Sequence, residues 1–276
     1  MNEPHPHRPI GVFDSGVGGL TVLRALMETL PGEDYLYLGD TARLPYGTKS
    51  RSSVARYALQ CTRHLVDQGV KLLVVACNTA SACALPALAR AHPDLSVVGV
   101  VRPGAQAGCA VSPGGRMAVI ATEGTVQGGA YQDAIRDLCP AMHIEAQACS
   151  LFVALAEEGW TSGPLVEDIA AAMLEPLLAR FGDEPPDSIV LGCTHFPVLA
   201  DVIATVVGPR VRVIDSAATT AAEVRRVLDA QGLLRKGQGP GSARFLATDG
   251  AERFARVGSI FLGRSLSPDD IAIVDL

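Results

Sequence analysis

Cys77 closes the apolar run Val74-Val75-Ala76 and opens Asn78-Thr79-Ala80-Ser81; Cys193 closes Val190-Leu191-Gly192 and opens Thr194-His195-Phe196-Pro197. Each run is short enough for a buried strand, and each passes into polar residues of the kind that begin helices. In open α/β sheets ligands bind in the crevice beyond the carboxyl ends of the strands. Two thiols placed there, each followed by hydrogen-bond donors, predict sulfur groups facing one small substrate. A helix N-terminus after each cysteine would favour thiolate and attract carboxylates. His195 shares the side of Cys193 if strand geometry continues, and could hold the thiol's proton or stabilise the thiolate. Asp14 ends another apolar run, before Ser15-Gly16-Val17-Gly18-Gly19, and fits two roles equally. It is a helix N-cap, or a cleft carboxylate that takes a proton from Cys77 or orients an ammonium group. Tyr46-Gly47, Asn78-Thr79 and Thr194 suit anionic groups as donors, and suit turns and caps as well.

Other chemistries fit less well. Gly16 and Gly18 start a dinucleotide fingerprint, but Thr21 fills its last position. The other five of the seven cysteines (Cys61, Cys83, Cys109, Cys139, Cys149) read as small apolar residues without polar company. An odd, scattered set is no disulfide framework, and without a Cys-x-x-Cys pair neither structural zinc nor thioredoxin chemistry is expected. No Cys-x5-Arg phosphatase loop follows either strand-end cysteine, since Cys83 and Leu199 stand in the arginine's place. Lysine is confined to Lys49, Lys71 and Lys236, none in a setting that suggests a pyridoxal Schiff base. At 276 residues, 19% charged and net charge −6, the chain suits neither nucleic acid nor a membrane surface. The opening Met1 to Pro9 lacks a signal peptide's apolar core, so a cytoplasmic location is expected.

Strands and helices must alternate to position these residues. Strands are predicted at residues 9–14, 35–38, 71–76, 96–101, 116–121, 143–148, 188–191, 211–214 and 244–248. Helices are predicted after 20, at 54–69, from 79 with a possible kink at Pro86, around Tyr131 to Leu138, and at 165–181, 217–231 and 251–257. Arg102-Pro103-Gly104 reads as a crossing between domains, and Thr122-Glu123-Gly124-Thr125 and Gly237-Gln238-Gly239-Pro240-Gly241 as loops. The alternation implies a doubly wound α/β fold with mainly parallel sheets. Ile10-Gly11-Val12-Phe13-Asp14-Ser15 matches Met117-Ala118-Val119-Ile120-Ala121-Thr122 at an offset of 107, and the two cysteines lie 116 apart. Such a duplication predicts two pseudo-symmetric domains, 1–101 plus 214–276 and 102–213, with the site in the cleft between them.

Phe13-Asp14-Ser15-Gly16-Val17-Gly18-Gly19, Asp40-Thr41-Ala42 with Pro45-Tyr46-Gly47, Ala76-Cys77-Asn78-Thr79-Ala80-Ser81 and Gly192-Cys193-Thr194-His195-Phe196-Pro197 together resemble glutamate racemases, in the aspartate/glutamate racemase superfamily. The match runs from Ile10 to Phe261-Leu262-Gly263, and His195 is nearer the glutamate than the aspartate enzymes, which tend to carry Glu there. The resemblance implies cofactor-independent racemisation in the cytoplasm, supplying D-glutamate for peptidoglycan, by a protein that is often dimeric. It implies Cys77 and Cys193 as the two acid/base residues, Cys77 acting on D-glutamate and Cys193 on L-glutamate. Asp14 then assists Cys77 and His195 assists Cys193. Asp14, Ser15, Tyr46, Gly47, Asn78, Thr79, Thr194 and His195 surround the substrate, and no metal is involved. Glu157 resembles a further carboxylate on the His195 side, although the family usually has proline where Ser150 and Ala154 stand. The alternatives are a racemase or decarboxylase of aspartate or another small acid, and a non-catalytic two-lobed carboxylate-binding protein.

Overall fold

The computed structural model describes residues 5–237 and 239–276, so Gln238 and the first four residues of the N-terminal stretch lie outside the described residues. The chain begins with β1 (Ile10–Asp14), α1 (Leu20–Thr29), β2 (Tyr35–Gly39), α2 (Arg51–Asp67), β3 (Leu72–Val75), α3 (Asn78–Ala91) and β4 (Ser96–Gly99). It continues through α4 (Val101–Ala110), β5 (Arg116–Ala121), α5 (Glu123–Gln127), α6 (Ala130–Leu138), β6 (His143–Ala148), α7 (Leu151–Glu157) and α8 (Pro164–Leu178). Then come β7 (Ser188–Gly192), α9 (Ala200–Val207), β8 (Arg212–Asp215), α10 (Ser216–Ala230), β9 (Ala243–Ala247), α11 (Ala251–Leu262) and β10 (Ile271–Ile273).

Two parallel sheets result. The larger runs β10-β9-β2-β1-β3-β4 and the smaller β6-β5-β7-β8. The strands read as unbroken apolar runs because both faces of each sheet are covered. Ile10, Val12, Leu72 and Val74 pack with α1, α10 and α11, whereas Phe13, Leu73 and Val75 on the other face meet α2 and α3. In the smaller sheet Ile120, Ile189 and Leu191 meet α7, α8 and α9, and Met117, Val119 and Val190 meet α4 and α6. The order β2-β1-β3-β4 repeats as β6-β5-β7-β8, so β3 and β7, the strands that lead to Cys77 and Cys193, are equivalent in the two sheets.

Local chemistry departs from expectation in places. Arg102-Pro103-Gly104 does lie where the chain crosses from β4 of the larger sheet to β5 of the smaller, but as the first turn of α4 rather than as a loop. Proline is tolerated there because the first amide groups of a helix have no partner within it. Thr122 to Thr125 is not a loop either: Thr122 caps α5, and the Val126 amide donates to its carbonyl at 3.0 Å. Helix α3 runs on through Pro86, and α11 continues to Leu262. The short elements α7, α9 and β10 were not legible in the pattern. Among the described residues no helix is long and apolar enough to cross a membrane.

Candidate active site

Cys77 is the N-cap residue of α3, and its sulfur accepts the Ala80 amide at 3.4 Å. The thiol is nevertheless pushed up to about 12, by burial first and by the charge of Asp14 second, outweighing donation from Ser15 and Ala80. The helix terminus therefore does not make this sulfur a ready thiolate, because desolvation dominates. Asp14 is fully buried at the end of β1 and accepts the Gly16 amide at 3.0 Å through Oδ2. It is not the N-cap of α1, a place taken by Gly19 without a side-chain bond. Burial raises the Asp14 carboxyl, against the pull of His195 and the amides of Gly19, Gly16 and Ser15.

Cys193 follows β7 with no α-helix behind it. A turn and a short 3-10 segment, Phe196–Leu199, come before α9. The strand geometry expected to carry His195 has ended, yet the turn delivers the ring: Cys193 Sγ lies 3.8 Å from His195 Nδ1. His195 Nε2 is 3.2 Å from Glu157 Oε1, and Arg253 donates to Glu157 Oε2 at 2.9 Å. Burial works to lower the imidazole, but hydrogen bonds to Cys193 and Glu157 win and bring it to about 10. Glu157 is held below the usual carboxylate range, first by its bond to His195, against burial, and then by Arg253. Residues 150 and 154, where the family usually has proline, lie at the cap and inside α7, which still delivers Glu157 to the imidazole. The ring also packs edge-on against Phe261, with centroids 5.1 Å apart.

The two walls meet. A β-carbon on Gly18 would lie 2.5 Å from both His195 Nδ1 and Thr194 Oγ1, so glycine alone permits this approach. Thr21, which spoils the dinucleotide fingerprint, donates from Oγ1 to Gly18 O at 2.9 Å and to Thr194 O at 3.3 Å. Thr79 Oγ1 lies 3.0 Å from Thr122 Oγ1 and 3.1 Å from Thr125 Oγ1. The Tyr46–Thr48 turn packs on α5.

The sites named from sequence thus gather in one place, with two refinements. The Tyr46 hydroxyl is not free for a ligand because it donates to Asp40 Oδ2, and its proton is held by burial, so the turn has backbone groups to offer. Asp14 Oδ1 and Asn78 Nδ2 are buried and have no partner among the described residues. An unpaired buried polar atom costs about 1–3 kcal/mol, so both suit a polar ligand. Among the described residues no group of three or more His, Cys, Asp or Glu side chains is placed to hold a metal ion. Cys61, read as lacking polar company, lies 3.7 Å from Arg43 Nη2.

Four supporting residues escaped the sequence reading. Asp40 holds Tyr46 and also Arg43, whose Nε is 2.9 Å away. Thr122 had a signal, since the internal repeat aligns it with Ser15. Arg253 and Tyr131 had none: they lie 96 and 53 residues from the partners they bind, Glu157 and Asn78.

Comparison with known proteins agrees with this geometry. The Asp/Glu/Hydantoin racemase profile matches residues 10–224. A glutamate racemase of Geobacter metallireducens is 47% identical over 261 residues, 95% of each chain. The structure of glutamate racemase isoform RacE1 from Bacillus anthracis superposes with TM-score 0.91 at 36% identity over 99% of each chain. That of Francisella tularensis glutamate racemase, in complex with D-glutamate, gives 0.88 at 36% identity over 98% of each. The chain belongs to the Asp/Glu/Hydantoin racemase family, among the glutamate racemases.

Proposed function

We propose that the chain interconverts L-glutamate and D-glutamate without a cofactor, by proton transfer between two cysteines and the α-carbon. The observation that carries the reading is the equivalence of β3 and β7: each leads to a buried cysteine, and Gly18 lets the Thr194-His195 wall close on the Asp14 side. Substrate lies between the unit built on the larger sheet and the unit built on the smaller, which keeps all of β8.

Inversion requires proton removal from one face and delivery to the other. With L-glutamate, Cys193 as thiolate takes the α-proton, steadied by protonated His195. Cys77, whose proton is held by burial, delivers it to the opposite face and becomes the thiolate. With D-glutamate the roles reverse, and Asp14 takes the Cys77 proton to prepare it. The intermediate carries negative charge into the α-carboxylate, where preorganised donors contribute most. Asn78 Nδ2, the Thr79 hydroxyl, Thr194, Ser15 and the amides of Tyr46-Gly47 are the donors assigned to the two carboxylates. The product D-glutamate serves peptidoglycan synthesis in the cytoplasm.

Racemisation of each enantiomer in heavy water tests this. Early in the reaction deuterium is expected in the inverted product and far less in recovered substrate. Equal early labelling of both pools, as a single exchanging base would give, overturns the two-base reading.

A further inference from the structure

Tyr131, on α6, is the one tyrosine that reaches from the smaller sheet's helices to α3 of the larger. It is 1% exposed, and its hydroxyl donates to Asn78 Oδ1 at 2.7 Å. Ser216 lies beside the phenol, both facing Gly104, and burial keeps the phenol's proton in place. The phenol therefore has its proton to give, and Asn78 Oδ1 receives it. This fixes which end of the amide is which, since an amide's two ends are otherwise nearly interchangeable in shape. The free end is Nδ2, the buried donor with no partner among the described residues.

The ring also touches the opposite wall. A β-carbon on Gly192 would lie 2.9 Å from Tyr131 Cε2, and one on Gly104 would lie 3.2 Å from its hydroxyl oxygen. Gly192 is the last residue of β7, directly before Cys193. One side chain therefore orients an amide beside Cys77 and bears on the backbone that presents Cys193.

We infer that Tyr131 is a positioning residue of the racemase site, acting through Asn78: it turns the amide nitrogen toward a substrate carboxylate and keeps that donor in register with Cys193. The inference rests on the glutamate racemase reading above. Removing the hydroxyl alone, as Tyr131→Phe, is expected to weaken D-glutamate binding about three- to tenfold, the worth of one hydrogen bond. KM rises by the same factor for both enantiomers, with kcat changed less than KM.

Calorimetric Kd for D-glutamate and racemisation kinetics are measured for the wild type, Tyr131→Phe, Asn78→Ala and the double variant. If Tyr131 acts through Asn78, its substitution adds nothing to Kd once Asn78 is alanine. Ser216→Ala provides a second measurement should Tyr131→Phe not fold; it is expected to raise Kd in the same direction by a smaller factor, again only with Asn78 present. An unchanged Kd in whichever of these variants folds, or a loss as large in the Asn78→Ala background, overturns the inference. Failure of the wild type to racemise or bind glutamate instead overturns the parent reading, so the two failures are distinct.

Discussion

The two cysteines occupy equivalent strands, but their walls are built to opposite electrostatic ends. Around Cys77 stand a buried carboxyl, a serine and a helix terminus, and the sulfur keeps its proton, its thiol pushed up to about 12 by burial and by Asp14. Around Cys193 a chain of alternating charge runs outward from the sulfur through His195 and Glu157 to Arg253. The strand order is the same in the two sheets, while the residues after each strand differ. Sheet order places the sulfur atoms, and the following segment sets what surrounds them: α3 with Asp14 on one side, a turn bearing an imidazole on the other. Under the proposed mechanism the pattern, with the Cys77 thiol and the His195 imidazole both raised, suits attack on the L-enantiomer.

The largest effects come from the sulfur atoms. Cys77→Ala and Cys193→Ala are each expected to lower racemisation by about 10²–10⁴-fold, the usual contribution of a general acid or base. The comparison predicts more than loss. Cys77→Ala should still exchange the α-proton of L-glutamate with heavy water through Cys193, without inversion, and Cys193→Ala should do the same for D-glutamate. Near-normal racemisation in either variant, followed by circular dichroism, removes the two-base assignment.

Next comes His195→Asn, expected to lower turnover by about 10²-fold. Enantiomers have equal free energy in water, so kcat/KM must fall equally in both directions. The asymmetry appears instead in isotope effects. Slowing the Cys193 step should raise the α-deuterium effect with labelled L-glutamate and shrink it with labelled D-glutamate. The wild-type pH profile carries the same information. The imidazole is raised to about 10, so its proton is present at neutral pH and lost as pH rises through about 10. Turnover should fall along that limb. The stability gained from the raised imidazole has the same sign: it is complete below about 6.5, the unperturbed histidine value, and gone above about 10. An alkaline limb retained unchanged in His195→Asn would assign it elsewhere.

What the sequence could reveal follows the range of each interaction. Cys77, Asn78, Thr79, Thr194 and His195 follow the apolar strands β3 and β7, and Asp14 and Ser15 close and follow β1, so strand recognition alone located them. The sheet pairing was foreshadowed by the repeat of Ile10–Ser15 at Met117–Thr122. Protonation was not legible, because it depends on burial from distant elements: a helix terminus implied a thiolate at Cys77, and the enclosed cleft reversed the sign. Pro103 marked the crossing but not that a helix carries it, because proline and glycine mark both loops and first helical turns. Tyr131 and Arg253 carry no local pattern, and only the folded chain brings them to the site.

Glu157→Gln is a smaller change, keeping the hydrogen-bonded shape while deleting the charge. The expected outcome is a loss of about tenfold in turnover, with the alkaline limb moved to lower pH because His195 loses an anion that favours its charged form. A limb that stays in place would mean that Cys193 alone holds the imidazole's proton.

Arg253→Met sharpens the comparison at its outer end. Arg253 bonds Glu157 Oε2 at 2.9 Å, but its side chain is 49% exposed, whereas that of Glu157 is 15% exposed. Ion pairs open to solvent contribute about 0–1 kcal/mol. The guanidinium also helps hold Glu157 below the usual carboxylate range, yet the imidazole bond comes first in that effect. Glu157 should therefore remain ionised at neutral pH without Arg253, and His195 should keep its partner. Turnover is expected to change by less than about threefold, with the alkaline limb essentially unmoved and the acid limb moved slightly to higher pH. A loss equal to that of Glu157→Gln would mean that Arg253 holds the His195–Glu157 pair in its working state, and the charged chain beside Cys193 would then extend functionally to the protein surface.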